Sequence, residues 1–188
     1  MSERARERMT SDEFIAWAME QPETGHYELI DGEVVAMSPE RSVHALTKFH
    51  IARRLADQVE AAKLPCEVYP DGMAVEIDTH TVYEPDALVR CGTPLAPDAV
   101  KLSDPMIIVE VLSPSTSSRD VGAKLEDYFR LPSVRHYLIV RTENRTIIHH
   151  ERGSDGIILT RIVREGPILL EPPGINLTDY FPPAGVAA

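Results

Sequence analysis

Residues 107–112 read Ile-Ile-Val-Glu-Val-Leu, and a run this rich in β-branched residues suits a central strand buried on both faces. Glu110 stands in the middle of it. An ionised carboxylate is rarely buried without a partner or a metal ion, so the fold must bring compensating charge to this point. A buried arginine is one such partner, although interior ion pairs are costly.

The rest of the chain supplies elements that can enclose such a strand. Thr10 followed by Glu13 is a capping-box pattern, and the stripe Phe14, Trp17 and Ala18 predicts a short helix over Ser11–Met19, ended by Pro22 and Gly25. YELIDGEVVAM predicts a hairpin turning at Asp31-Gly32, with Glu28 on its first strand. From Ser42 to about Lys63, Val43, Leu46, Ile51, Leu55, Val59 and Ala62 recur at near-helical spacing, with Ser42 placed to cap the helix. Its polar side carries Lys48, Arg53 and Arg54, either a phosphate-facing patch or, more commonly for such a pattern, a solvated face. Strands are expected at CEVYP, MAVEI, VYEPDALVR and MIIVEVLS. A helix over Val121–Leu131 should follow, capped by Asp120 and stopped by Pro132. RHYLIVRTENRTIIHHER, DGIILTRIV and ILLEP then read as a strand with an antiparallel extension before a Pro-rich tail.

Asp86 follows Pro85 within a β-rich run. Proline cannot donate to a sheet ladder, so it marks an edge or a place where pairing opens. If neighbouring strands part there, Asp86 and Glu110 could share an ion, and two carboxylates with waters are the oxygen ligand set Mg²⁺ prefers. His149 and His150 are adjacent, so on a strand they face opposite sides and cannot pair at a metal. Both are expected to be surface or packing residues. Cys66 and Cys91 have neither CxxC nor His-paired spacing and are expected to be ordinary thiols.

The segments PDALV and IIVEVLSPST, followed by Lys124 and Tyr128 one helical turn apart, resemble the PD-(D/E)xK nuclease superfamily. Within it, the chain resembles the restriction endonuclease family called Uma-two, from YELIDGEVVAMSP to the final DYF. The resemblance implies an α/β (α+β), restriction-endonuclease-like mixed sheet flanked by helices, with an N-terminal helix and hairpin. It also implies Mg²⁺-dependent hydrolysis of nucleic-acid phosphodiesters, with Mn²⁺ able to substitute, and often a homodimer. Asp86 and Glu110 take the metal-binding roles, and Glu28 matches an early glutamate able to approach the metal. His44 and Tyr128 are candidates to contact phosphate or water. The superfamily's lysine two residues after the acid is replaced here by Leu112, and Lys124 in the next helix is the expected substitute, able to orient water and offset transition-state charge.

With 43% hydrophobic and 26% charged residues over 188 positions, the composition suits one nuclease-like domain over 9–182, preceded by a flexible N-terminus and followed by a short tail. Neither a signal peptide nor a segment of about 20 apolar residues is present, so a cytoplasmic location without membrane contact is expected. The 19 basic against 30 acidic residues give a net charge of −11, the wrong sign for passive binding to a polyanion. Together with Leu112, this charge supports a second reading, an inactive nuclease-fold module that binds nucleic acid or another partner. No G-x-S-x-G elbow, Cys–His pair, P-loop or G-x-G-x-x-G fingerprint points to other chemistry.

Overall fold

The structure is a computed structural model describing residues 8–22, 25–112 and 118–183. Helix α1 (Ser11–Met19) begins as the capping box requires: Thr10 N–H donates to Glu13 Oε2 at 2.8 Å, and Thr10 Oγ1 accepts from Glu13 N–H. Strands β1 (Tyr27–Ile30) and β2 (Glu33–Ala36) follow as a hairpin. Asp31 and Gly32 both have positive φ, 52° and 80°, the backbone of the tight turn that matches strand twist. Helix α2 (Ser42–Ala61) comes next, then β3 (Cys66–Pro70), β4 (Ala74–Asp78), β5 (Thr81–Tyr83), β6 (Ala87–Cys91), β7 (Lys101–Leu102) and β8 (Ile107–Leu112). Helix α3 (Ser118–Tyr128) leads to β9 (His136–Arg141), β10 (Thr146–Arg152), β11 (Ile158–Val163), β12 (Ile168–Leu170) and β13 (Ile175–Leu177).

These strands form a six-stranded mixed sheet ordered β11-β10-β9-β8-β6-β3, a five-stranded sheet ordered β2-β1-β5-β4-β7, and the small pair β12-β13. In the larger sheet only β8 and β9 run parallel. Alternate residues of β8 enter two cores. Ile107, Val109 and Val111 pack with Ile51 and Leu55 of α2 and with β12 and β13. Ile108 packs on the other side with Val75 and Tyr83 of the five-stranded sheet and with Tyr128 of α3. The fully buried central strand is therefore covered on both faces, as its composition requires.

Several expectations need correction. VYEPDALVR is two strands in two sheets, because β5 and β6 are separated by Glu84-Pro85-Asp86. Ser42 is the first residue of α2, not its cap; Arg41 holds that position without a side-chain hydrogen bond. The inner side of α2 begins with Thr47 and Lys48, whereas Leu46 is exposed. Helix α3 lies about three residues earlier than its apolar pattern suggested, and the Asp120 cap lies outside the described side chains. Cys66 and Cys91 stand opposite each other on β3 and β6 and form a disulfide, so neither is a free thiol.

The β9–β10 hairpin buries a histidine pair. His136 and His149 are 0% and 1% exposed, with Nδ1 and Nε2 3.0 Å apart. His136 Nε2 donates to the Pro172 carbonyl at 2.9 Å, so its Nδ1 is the acceptor for the His149 N–H. His150 faces the other side, stacked on Tyr137. Burial, reinforced by His136, pushes His149 down to about 4, and burial also lowers His136. A histidine depressed in the folded state contributes stability that is present above its ordinary value near 6.5 and lost as pH falls through the folded value. We therefore expect the free energy of unfolding to drop by on the order of 2 kcal/mol between pH 7 and pH 4 from His149, with a smaller slope in His149→Gln. Urea titrations across that window, giving equal slopes for both proteins, would refute this.

Candidate active site

Chain geometry at Pro85 creates the site. β5 ends at Tyr83 in the five-stranded sheet and β6 begins at Ala87 in the six-stranded one, so Glu84-Pro85-Asp86 crosses between sheets. The last β6–β8 pair is Ala87↔Val109, and continuing that register would set Pro85 opposite Val111. The ladder stops there. Asp86 supplies the missing acceptor, its Oδ2 taking the Val111 N–H at 2.5 Å. The same carboxylate is thereby fixed beside the C-terminal end of β8.

Glu110, 8% exposed, is engaged from α3. Its Oε1 accepts from Lys124 Nζ at 2.9 Å and from the Tyr128 hydroxyl at 2.8 Å. Lys124 Nζ also donates to Glu28 Oε1 at 2.7 Å, and Glu28 accepts the Glu84 N–H at 3.1 Å. The lysine and tyrosine one turn apart thus converge on one acid, while the lysine spans to the β1 carboxylate. Tyr83, Tyr128 and Tyr137 wall this region with ring centroids 5.4 and 5.1 Å apart, and the ammonium lies 5.0 Å from the Tyr83 centroid. Tyr128 is fully buried; its hydroxyl is spent on Glu110, so it positions that carboxylate instead of reaching a phosphate. Leu112, where a lysine was expected, packs against the core beside α3.

The sequence reading missed Lys48. Far from lying on a solvated helix face, it is 7% exposed, with Nζ 3.1 Å from Asp86 Oδ1, 2.6 Å from Asp71 Oδ2 and hydrogen-bonded to Glu40. A signal existed in the spacing of Glu40, His44 and Lys48, which recur every four residues. His44 sits among them, its Nε2 bonded to the Val111 carbonyl and 3.7 Å from Asp86, its Nδ1 3.2 Å from Glu40. Arg54 pairs with Asp179 instead and stands apart from the site.

Electrostatics follow from this crowding. Burial, then the neighbouring Glu110, push Asp86 up to about 7. Burial also raises Glu28, against the opposing pull of Lys124. Burial alone would lower both ammonium groups, but surrounding carboxylates hold Lys48 and Lys124 above the ordinary lysine value. Five carboxylates (Glu28, Glu40, Asp71, Asp86, Glu110) face two ammonium groups, so acids outnumber the cations that meet them. Such an excess fits a divalent cation. Among the described residues, two groups have ligand atoms within 4.8 Å of one another: Glu40, His44 and Asp86, and His26, Asp71 and Glu84. Glu110 and Glu28 belong to neither group and are held by Lys124.

Among the described residues, no helix is long and apolar enough to cross a membrane. A crystal structure from Anabaena variabilis, described as a "putative nuclease belonging to DUF820", matches with a TM-score of 0.71 and 17% identity, covering 92% of this chain and 97% of that one. The likeness shows a shared fold. Two uncharacterized proteins of Synechocystis sp. are each 25% identical over 150 residues, covering 79% and 78% of this chain and 77% and 84% of their own lengths. Residues 11–182 match the Uma2 family, described as "putative restriction endonuclease". With the fold, the crossing at Pro85 and the carboxylate–lysine cluster lying inside that match, the chain belongs to the Uma2 family.

Proposed function

We propose that the chain is a metal-dependent endonuclease that hydrolyses phosphodiester bonds of nucleic acid, DNA foremost, using Mg²⁺ with Mn²⁺ able to substitute. The observation that carries this reading is the gathering of carboxylates at the end of β8, with Asp86 just before β6 and Glu110 on the neighbouring β8, both buried, and Asp86 pushed to about 7 by burial and by Glu110. Asp86 and Glu110 would hold the cation, with His44 and Glu40 completing the approach from α2. A divalent ion bound there supplies Lewis acidity toward the phosphoryl oxygen and an activated water.

The protein's own groups have separable roles. Asp86 is fixed by the Val111 N–H, and Glu110 by Tyr128 and Lys124, so both carboxylates are oriented before any ligand arrives. Lys124 keeps the Glu28–Glu110 pair from repelling and provides the ammonium that Leu112 cannot. Lys48 places a second ammonium beside Asp86, where it can offset charge developing on a phosphate. The overall charge of −11 opposes a polyanion at long range, whereas a divalent ion would offset carboxylate charge locally.

One observation favours a second reading, an inactive module of the same fold. Lys124 already pairs with both Glu28 and Glu110, offsetting one of their two charges and leaving less demand for a metal. Titration calorimetry with Mn²⁺ and Mg²⁺ separates the two. We expect binding that Asp86→Ala and Glu110→Ala each remove, with cleavage of plasmid DNA falling by at least about 100-fold in each variant. A wild-type protein that neither binds Mn²⁺ nor cuts DNA would give the module reading first place.

Lys124 yields a further expectation. Lys124→Ala leaves two buried carboxylates facing each other, which should cost about 3 kcal/mol in urea unfolding, and adding Glu28→Gln should restore part of it. Cleavage should slow more than Mn²⁺ affinity weakens. Normal cleavage by Lys124→Ala would show that this ammonium has no catalytic part.

A further inference from the structure

On the face of the six-stranded sheet turned away from Glu110, a cavity of about 290 Å³ is lined by His149, Glu151, Arg161, Ile168, Leu169 and Glu171. Strand pairing sets its polar wall. His149 and Glu151 alternate onto one face of β10, and Arg161 of β11 stands directly opposite His149. Strand β12 supplies the apolar wall, where Leu169 is 60% exposed. His149 pairs with Leu138, which packs with Val109 in the core beside α2, whereas Glu110, one residue on from Val109, bonds Lys124 and Tyr128 of α3. The cavity is therefore separate from the candidate active site.

His149 is 1% exposed, yet one of its ring nitrogens is spare. Its Nε2–H donates to His136 Nδ1, and His136 Nε2–H donates to the Pro172 carbonyl. This chain fixes the tautomer and leaves His149 Nδ1 as an unprotonated acceptor, and burial keeps the ring neutral at pH 7. Among the described residues Nδ1 meets no donor, and it is not one of the polar atoms sealed from solvent without a partner. What exposure the residue retains therefore lies at Nδ1, which opens into the cavity. A buried acceptor so placed is costly unless a donor meets it.

Charge narrows what could supply that donor. Glu151 is paired with Arg161, while Glu171 meets no cation among the described residues, so the lining carries more carboxylate than it neutralises. Its acceptors do not converge on one point: among the described residues, the two groups with ligand atoms within 4.8 Å of one another include neither His149 nor Glu171. A bare metal ion therefore suits this lining poorly. A planar fork of N–H donors can reach separated acceptors that a point charge cannot. We propose that this cavity binds a guanidinium group, carried by a small molecule or by an arginine side chain of another protein, which donates to His149 Nδ1 and Glu171 and lays its weakly hydrated face on Ile168 and Leu169. The Arg161–Glu151 pair at its rim is the same recognition made within the chain.

Imidazole nitrogen NMR of the full chain with isotope-labelled histidine, free of metal and nucleic acid, tests this independently of the nuclease reading. The His149 Nδ1 resonance, assigned by its absence from His149→Gln, reports directly on whether the lone pair gains a donor. Titration with methylguanidinium should move it upfield and saturate, whereas tetramethylammonium, of equal charge but without N–H groups, should leave it in place. Because Glu171 is exposed, Glu171→Gln should fold normally and weaken methylguanidinium binding by about 10-fold or more. N-acetyl-arginine methylamide distinguishes the sources: affinity matching or exceeding that of methylguanidinium supports an arginine side chain, and exclusion of the larger probe supports a small molecule. An Nδ1 resonance that methylguanidinium does not move, an equal shift with tetramethylammonium, or unchanged affinity in Glu171→Gln would overturn the proposal.

Discussion

One ammonium group holds two sheets in register. Lys124 reaches from α3 to Glu28 on β1 and Glu110 on β8, strands that belong to different sheets. Removing water from three such charges is expensive, and the attraction repays it only while every partner stays in place. The position of the β1–β2 hairpin over the central strand, and of α3 against both, therefore depends on this triad as well as on apolar packing. The tyrosine wall around it keeps the surroundings poor in water, which strengthens the attraction and raises the cost of losing any member.

Features governed by local physics were legible in the sequence. The Thr10–Glu13 box delimits α1, Asp31-Gly32 makes the hairpin turn, and the β-branched run forms the buried β8. Lys124 and Tyr128 could be linked in advance because i and i+4 share a helix face and both meet Glu110. The sheet change at Pro85 was not legible, since alternation in VYEPDALVR is the same whether its two halves serve one sheet or two. Lys48 was misread because two of its partners come from positions 71 and 86, and helical periodicity says nothing about charge arriving from elsewhere. The Cys66–Cys91 pairing depends on the β3–β6 register, which the spacing of two cysteines does not encode.

Histidines show the same division. Strand alternation correctly separates His149 from His150, but the partner of His149 is His136 on the neighbouring strand, a contact that exists only once β9 and β10 pair. His44 lies on the face of α2 turned toward the end of β8, where it bonds a carbonyl of the same residue whose N–H Asp86 takes. Both backbone groups of Val111 are thus met by side chains. A short stretch of main chain that has lost its strand partner is rebuilt from side chains that also carry charge.

That arrangement affects how descent within the family should be read. Because Asp86 completes the backbone pairing of Val111, a lineage that abandoned catalysis would still pay in stability for replacing it. Retention of this aspartate in a relative is therefore a poor marker of activity. Loss of a group without such a structural duty, such as Glu40 at the exposed rim, would be an earlier and cleaner sign that selection on chemistry has lapsed.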